Sequence, residues 1–381
     1  MPLPLYLLAL AVFAMGTSEF MLAGLLPGLA ADLGVTVGTA GGLTSAFAVG
    51  MAVGAPLMAV LARGRTGRGS LLGFVLAFAA AHAVGAVTAS FPVLLTTRVV
   101  ASLANAGFLA VALTTAAALV PADRKGRALA VLLSGTTVAT VVGVPGGAVL
   151  GSLFGWRAAF WAVALLCLPA AVGLATFLPP VAASTDRAAP ALRAELAELR
   201  RPPLRRAMLL AALVNAATFG GFTFLAPVVT GPAGLGELWV PVALVLFGAG
   251  SFAGVTVAGR LADRRPDLVL AVGGPLLLAG WPALAASAHV PGALLPLVFL
   301  LGALSFAVGA TLITRVLYEA SGAPTLAGAY ATAALNLGAT TGPLLAATTL
   351  GTPAGDLGPC YTGGLLIAAA LLVGAVRRPV G

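Results

Sequence analysis

The chain has 381 residues, 60% of them hydrophobic and only 8% charged, with a formal net charge of +9 and a mean hydropathy of +1.09. Soluble domains carry roughly 25% charged residues, so this composition excludes an ordinary globular enzyme and indicates an all-α polytopic membrane protein. The basic excess lies in short loops between apolar runs, which argues against nucleic acid as a partner.

The first apolar run, about 4–27, lacks a basic leader and exceeds the roughly 7–15 residues of a signal-peptide core, so it reads as a retained helix. In its middle stands Glu19, and no other carboxylate lies so deep in an apolar stretch. A carboxylate in a bilayer costs several kcal/mol unless it is paired or protonated, which makes Glu19 a functional candidate. Further runs follow at about 40–62, 71–90, 92–119, 128–151, 158–178, 207–229, 239–261, 268–288, 293–317, 325–350 and 360–376. Each approaches the roughly 20 residues a spanning helix needs, so twelve transmembrane helices are expected.

The fourth run carries Arg98, Ser102 and Asn105, whose spacings of four and three share a helix face. Counted from the outer ends of their helices, Arg98 and Glu19 lie at similar depths of roughly 10–12 Å, at 1.5 Å per residue. They can therefore meet or share a cavity. A carboxylate between a guanidinium, which favours its charged form, and apolar surroundings, which favour the neutral form, can take up and release a proton.

In the fifth run Gly135, Ala139, Gly143, Gly147 and Gly151 recur every four residues. That is a smooth stripe for close helix packing, and Pro145, followed by Gly146, adds a kink.

Between the sixth and seventh runs lies the longest polar segment, which divides the chain into an N-terminal half (1–178), a cytoplasmic linker (179–206) and a C-terminal half (207–381). The halves look duplicated. Gly50 and Gly54 recur as Gly250 and Gly254, Arg65 as Arg264, and the Gly143–Pro145 kink as Gly342–Pro343, at offsets of 198 to 200. Two repeats around a midplane site are transporter architecture.

The positive-inside rule sets the orientation. With both termini cytoplasmic, 18 of the 20 basic residues fall on inner loops or inner helix ends, among them Arg65 and Arg68. Arg157 is left outside and Arg98 within a span. The loop after the eighth run, Gly259 to Arg264, reads G-R-L-A-D-R, and Asp263 there is placed to cap a helix or pair with arginine as a latch.

The remaining candidates are weaker. Asn215 and Thr218 lie a turn apart, and Phe20, Phe108, Phe222 and Phe224 are candidate linings for an aromatic, uncharged ligand. His82 reads as a buried, hydrogen-bonded residue. Cys167 and Cys360 have no metal-ligand spacing, so neither metal, cofactor nor disulfide is expected.

These motifs resemble the major facilitator superfamily, in its twelve-span drug:proton antiporter branch. The resemblance rests on the G-R-L-A-D-R loop, the span-four arginine, the span-five G-V-P-G-G and the following G-W-R-A-A-F-W, Gly155 to Trp161. In the first half the loop signature keeps Arg65 and Arg68 but has Gly64 where the family carries Asp. The opening 27 residues and the stretch R-V-V-A-S-L-A-N-A-G-F-L-A-V-A-L-T-T look similar to the chloramphenicol-resistance exporters of actinobacteria. That resemblance implies a monomeric exporter in the bacterial cytoplasmic membrane, with a small-molecule drug and protons as its partners. It also implies a proton-coupling role for Arg98. Another cargo on the same fold, a channel, or a membrane-embedded enzyme are the alternatives. An enzyme would need clustered His, Asp or Glu, which the chain lacks, and a channel would not need two repeats around a lone buried acid.

Overall fold

A computed structural model describes residues 2–61, 67–121, 125–179, 192–262, 266–323 and 326–375. Among the described residues the regular structure is all helical. The chain forms two compact units, one of Met1–Thr36 with Ala46–Arg187, the other of Val37–Ser45 with Ala188–Gly381.

The first unit contains α1 (Leu3–Phe20), a 3-10 turn at Met21–Gly24, α2 (Leu26–Leu33), most of α3 (Val37–Leu61), α4 (Gly67–Val87) and α5 (Phe91–Ala118). It closes with α6 (Lys125–Val138), α7 (Val144–Phe154) and α8 (Trp156–Phe177). The second contains a linker helix α9 (Leu192–Ala197), then α10 (Pro202–Thr223), α11 (Leu225–Thr230), α12 (Trp239–Ala262) and α13 (Pro266–Ala286). It ends with α14 (Pro291–Glu319), α15 (Ala327–Ala347) and α16 (Gly358–Ala375).

Among the described residues eleven helical segments have the length and hydropathy to cross a bilayer. The twelfth expected span is α15, 21 residues long and interrupted by Thr332, Asn336, Thr340 and Thr341, which lower its hydropathy. Large apolar side chains cover the outer surfaces: Phe154 and Leu365 are each 72% exposed. In water such a surface would aggregate, whereas against lipid it is the stable arrangement.

Two features of the backbone follow directly from sequence. Pro145 has no N–H and its ring crowds the preceding turn, and the helix relieves this by a π-helical turn at Ala139–Gly143, between α6 and α7. Gly155, at φ 81°, allows the sharp reversal from α7 into α8.

Each unit is seamed by glycine. Along α6 and α7 the small-residue stripe lies against α1 and the turn that follows it. A side chain on Gly135 would strike Ala9 and Phe13, on Gly143 Thr17 and on Gly151 Leu25, while one on Gly147 would reach ordinary contact with Met21. Gly146 faces away, with nothing within 4 Å of its Cβ position. In the second unit Gly342 of α15 lies against the Ala216 backbone of α10. Gly143 and Thr17 each become Gly342 and Ala216 on adding 199, so the matched positions are also matched contacts. Likewise Gly50 of α3 packs on Ser102 and Val99 of α5, and Gly250 of α12 packs on Phe299 of α14, 200 residues beyond Val99.

Basic and acidic side chains finish the helix ends. Arg68 donates to the carbonyls of Ala175 and, at 3.5 Å, Leu178 at the end of α8. Arg206 does the same for α16, through Gly374 and, at 3.1 Å, Val373. Carbonyls of a last helical turn lack partners and carry partial negative charge, so arginine suits them. Glu195 of α9 supplies the converse at the start of α15, accepting the Leu326 N–H at 2.8 Å while Tyr330 donates to the Glu195 carbonyl at 2.7 Å. Asp263, Arg264 and Arg65 lie outside the described residues, and Gly259 lies within α12.

Candidate functional site

Arg98 is the largest side chain among those fully buried, with 1% of its surface exposed. A buried guanidinium is costly unless its donors are satisfied and its charge is compensated. Here Nη1 donates to Ser18 Oγ at 2.7 Å and Nη2 to the Ser18 carbonyl at 3.0 Å. Ser18 belongs to the last turn of α1, where carbonyls lack helical partners. The guanidinium also lies over the Phe47 ring, 4.4 Å from its centroid. Its Nε hydrogen has no partner among the described residues.

Ser18 is shared with a third buried group. His82 of α4 lies 2.6 Å from Ser18 Oγ through Nε2, and its Nδ1 lies 2.8 Å from the Phe78 carbonyl. The imidazole stacks on Phe78 with centroids 4.3 Å apart and tilts against Phe160 at 5.6 Å. His82 was expected to be buried and hydrogen-bonded, and these contacts are of that kind.

Glu19 follows Ser18 and is half-buried. Arg98 and Glu19 act on one another electrostatically, but among the described residues no ion pair joins them. The equal depth expected from sequence puts both residues at one level, while the hydrogen bonds of the arginine go to position 18. Successive helix residues are about 100° apart, so a depth count does not say which of two neighbours faces α5.

The other candidates divide between packing and availability. Ser102 spends its hydroxyl on the Val99 carbonyl at 2.8 Å and accommodates Gly50. Phe108 is fully buried, and Phe20 is half-buried. Asn105 is 2% exposed. In the second unit Asn215 donates to the Leu335 carbonyl at 2.6 Å and Thr218 to the Val214 carbonyl at 2.9 Å. Phe222 lies in an aromatic row, 4.8 Å from Phe247, which is 6.2 Å from Phe306. Phe224 is buried. Among the described residues no cluster could hold a metal ion.

Sequence reasoning passed over Ser18, Phe47 and Asp32. Of these Asp32 left a signal, since Arg157 was the one basic residue expected outside. The G-W-R turn closes on this carboxylate: Trp156 Nε1 donates to Asp32 Oδ2 at 3.0 Å, and Arg157 pairs with the same oxygen. Arg157 also donates to the Thr88 carbonyl at 3.0 Å and covers Trp156, 4.4 Å from its ring. Hydrogen bonds from Arg157 and Trp156 hold the Asp32 carboxyl below the usual carboxylate range. A lowered folded-state value contributes stability above the unfolded value, near 3.9, and the contribution disappears as pH falls through the folded value. Because the pair is exposed, it is worth at most about 1 kcal/mol. Asp32→Asn is therefore expected to lower the melting temperature slightly at pH 7, with the gap closing below about pH 4. Parallel thermal unfolding at the two pH values checks this.

Two helical units with interior glycine seams, lipid-facing apolar surfaces and a charged residue buried in a span define a multi-pass membrane transporter of small molecules. The family model of the Major Facilitator Superfamily matches residues 8–343, and the chain belongs to that superfamily, a class of transporters and not of enzymes. It is 73% identical over 383 residues to the chloramphenicol resistance protein of Streptomyces lividans, covering 100% of this chain and 97% of that one. It is also 34% identical to the inner membrane transport protein YdhP of Escherichia coli K12, over 88% of this chain and 85% of the other. A solved structure of a bacterial homologue of the human lysosomal transporter Spinster superposes with a TM-score of 0.72 at 18% identity, covering 98% of this chain and 94% of that one. That likeness is one of fold.

Proposed function

We propose that this protein exports chloramphenicol-type phenicols across the bacterial cytoplasmic membrane in exchange for protons, conferring resistance. The cargo rests on the relative that is 73% identical along the whole chain. The observation that supports proton coupling is Glu19, a carboxylate in a transmembrane helix that follows the residue gripped by buried Arg98. Facing outward, Glu19 takes a proton, its attraction to Arg98 weakens, and drug leaves. Facing inward, Glu19 gives up the proton as drug binds.

In this reading residues 1–178 and 207–381 are duplicated halves that rock about a central axis, with 179–206 as a cytoplasmic linker. Both termini are cytoplasmic and the working unit is a monomer. The matched contacts of Gly143 with Thr17 and Gly342 with Ala216 support the duplication. The halves need smooth internal seams to move as bodies, and the glycine stripes supply them. Asn105, Phe20 and Phe222 are the drug-contact candidates. Gly259, Asp263 and Arg264 form the proposed inner latch.

Expression in an efflux-deficient host, followed by a panel of antibiotics, tests the cargo. Chloramphenicol and its close phenicol analogues are expected to lose potency most. Protection confined to unrelated compounds would refute the phenicol assignment.

A further inference from the structure

The hydrogen-bond chain through Ser18 has a direction. The Phe78 carbonyl can only accept, so His82 Nδ1, 2.8 Å away, carries the proton. In the neutral ring Nε2 is then an acceptor, and the Ser18 hydroxyl, 2.6 Å away, donates to it. The lone pairs of Ser18 Oγ are thereby left for Arg98 Nη1, which donates at 2.7 Å. The order is Arg98 to Ser18 to His82 to the Phe78 carbonyl, with one donor and one acceptor at each link.

We propose that His82 is a positioning residue for proton coupling: acting through the Ser18 hydroxyl, it parks the Arg98 guanidinium on α1 at position 18 and away from the Glu19 carboxylate. The proposal rests on the proton-coupled reading above. A parked arginine leaves Glu19 free to be neutral, and a released one favours its charged form. The arginine is not fully spent where it stands, since its Nε hydrogen has no partner among the described residues. That open donor is available to the Glu19 carboxylate when the guanidinium leaves Ser18.

The groups facing His82 are few. From α5 the charged group is Arg98, and from α1 it is Glu19, beside Ser18. From α8 the Phe160 ring faces it. The titratable groups of α8 are Arg157, engaged with Asp32 and Thr88, and buried Cys167. Among the described residues Arg98 is the charged group that acts on the imidazole.

His82→Phe keeps the stacked ring and removes the acceptor, whereas His82→Gln restores an acceptor at the reach of Nε2. Chloramphenicol/proton exchange is measured in vesicles across pH with each variant, beside Glu19→Gln. His82→Phe is expected to move the pH midpoint of exchange toward acid by at least roughly half a unit, with His82→Gln returning it to the parental value. A merely structural role would lower the rate at every pH and leave the midpoint in place, and that result would overturn the proposal. If His82→Phe does not accumulate in the membrane, Ser18→Ala breaks the same chain. An unmoved midpoint in Ser18→Ala overturns the proposal equally, and the same acid shift supports it. Glu19→Gln separates the two levels. A pH-independent Glu19→Gln with an unmoved His82→Phe refutes the positioning role alone. A Glu19→Gln that keeps its pH dependence refutes the proton-coupling reading beneath it.

Discussion

Glu19→Gln is expected to abolish gradient-driven drug export while leaving the protein folded and in the membrane. The substitution keeps the size and hydrogen-bonding reach of the side chain and removes its titration. Glu19 makes no ion pair among the described residues, so no buried partner is stranded by the change, and Arg98 keeps both of its bonds to Ser18. Coupling between two ligands is a free energy, typically about 1–3 kcal/mol or 5- to 150-fold in affinity. In the parent, drug affinity is expected to change over that range between acidic and neutral pH. In Glu19→Gln it is expected to be flat. Equilibrium binding of chloramphenicol at several pH values reads this directly, and resistance in cells should fall to the level of an empty vector. Full resistance in the variant would move the coupling site elsewhere.

Gly254→Val is expected to have a comparably large effect by a different route, the loss of folded transporter. A Cβ at Gly254 would lie 2.7 Å from the Ala303 carbonyl carbon and 2.8 Å from its Cα. Both are backbone atoms of α14, so no side chain can swing aside and the helices must separate. Gly302 of α14 meets the Phe247 backbone of α12 in the same way, so the seam is close from both sides. Even Gly254→Ala overpacks the seam, at a cost of about 1–3 kcal/mol, and valine adds two further carbons. Gly146→Ala is the control. It lies in the motif expected to matter, yet nothing stands within 4 Å of its Cβ position. Membrane abundance and detergent melting curves should show Gly254→Val lost, Gly254→Ala lowered and Gly146→Ala near the parent.

These two cases mark what sequence could convey. Apolar runs about 20 residues long are sufficient evidence for spanning helices, because a single segment of that length satisfies its own backbone groups in lipid only as a helix. The basic loops and the 199-residue offset added orientation and repetition. Span α15 was legible by length, though its threonines and Asn336 lower its hydropathy. The glycine stripe was legible because a four-residue repeat needs only the helix period.

The partner of Arg98 was not legible. Depth along an axis follows from counting residues, but rotation about it depends on how α1 packs on α5 and α6. Ser18 offered no hydropathy signal, and its value comes from its carbonyl in the last turn of α1 and from His82 on another helix. The π-helical turn before Pro145 was equally hidden. A proline announces a disturbance, and the neighbouring packing decides whether the helix kinks or widens. Gly146 was singled out by its motif, whereas its Cβ position faces open space, which a motif does not convey.

Proton movement on drug addition is the most direct test of the proton-coupled reading. Proteoliposomes are loaded to an acidic interior with a pH-sensitive dye, and chloramphenicol is added outside. The expected result is a drug-dependent rise of interior pH as protons leave against entering drug, absent with Glu19→Gln. Accumulation of chloramphenicol with no proton efflux, at any imposed gradient, would contradict it.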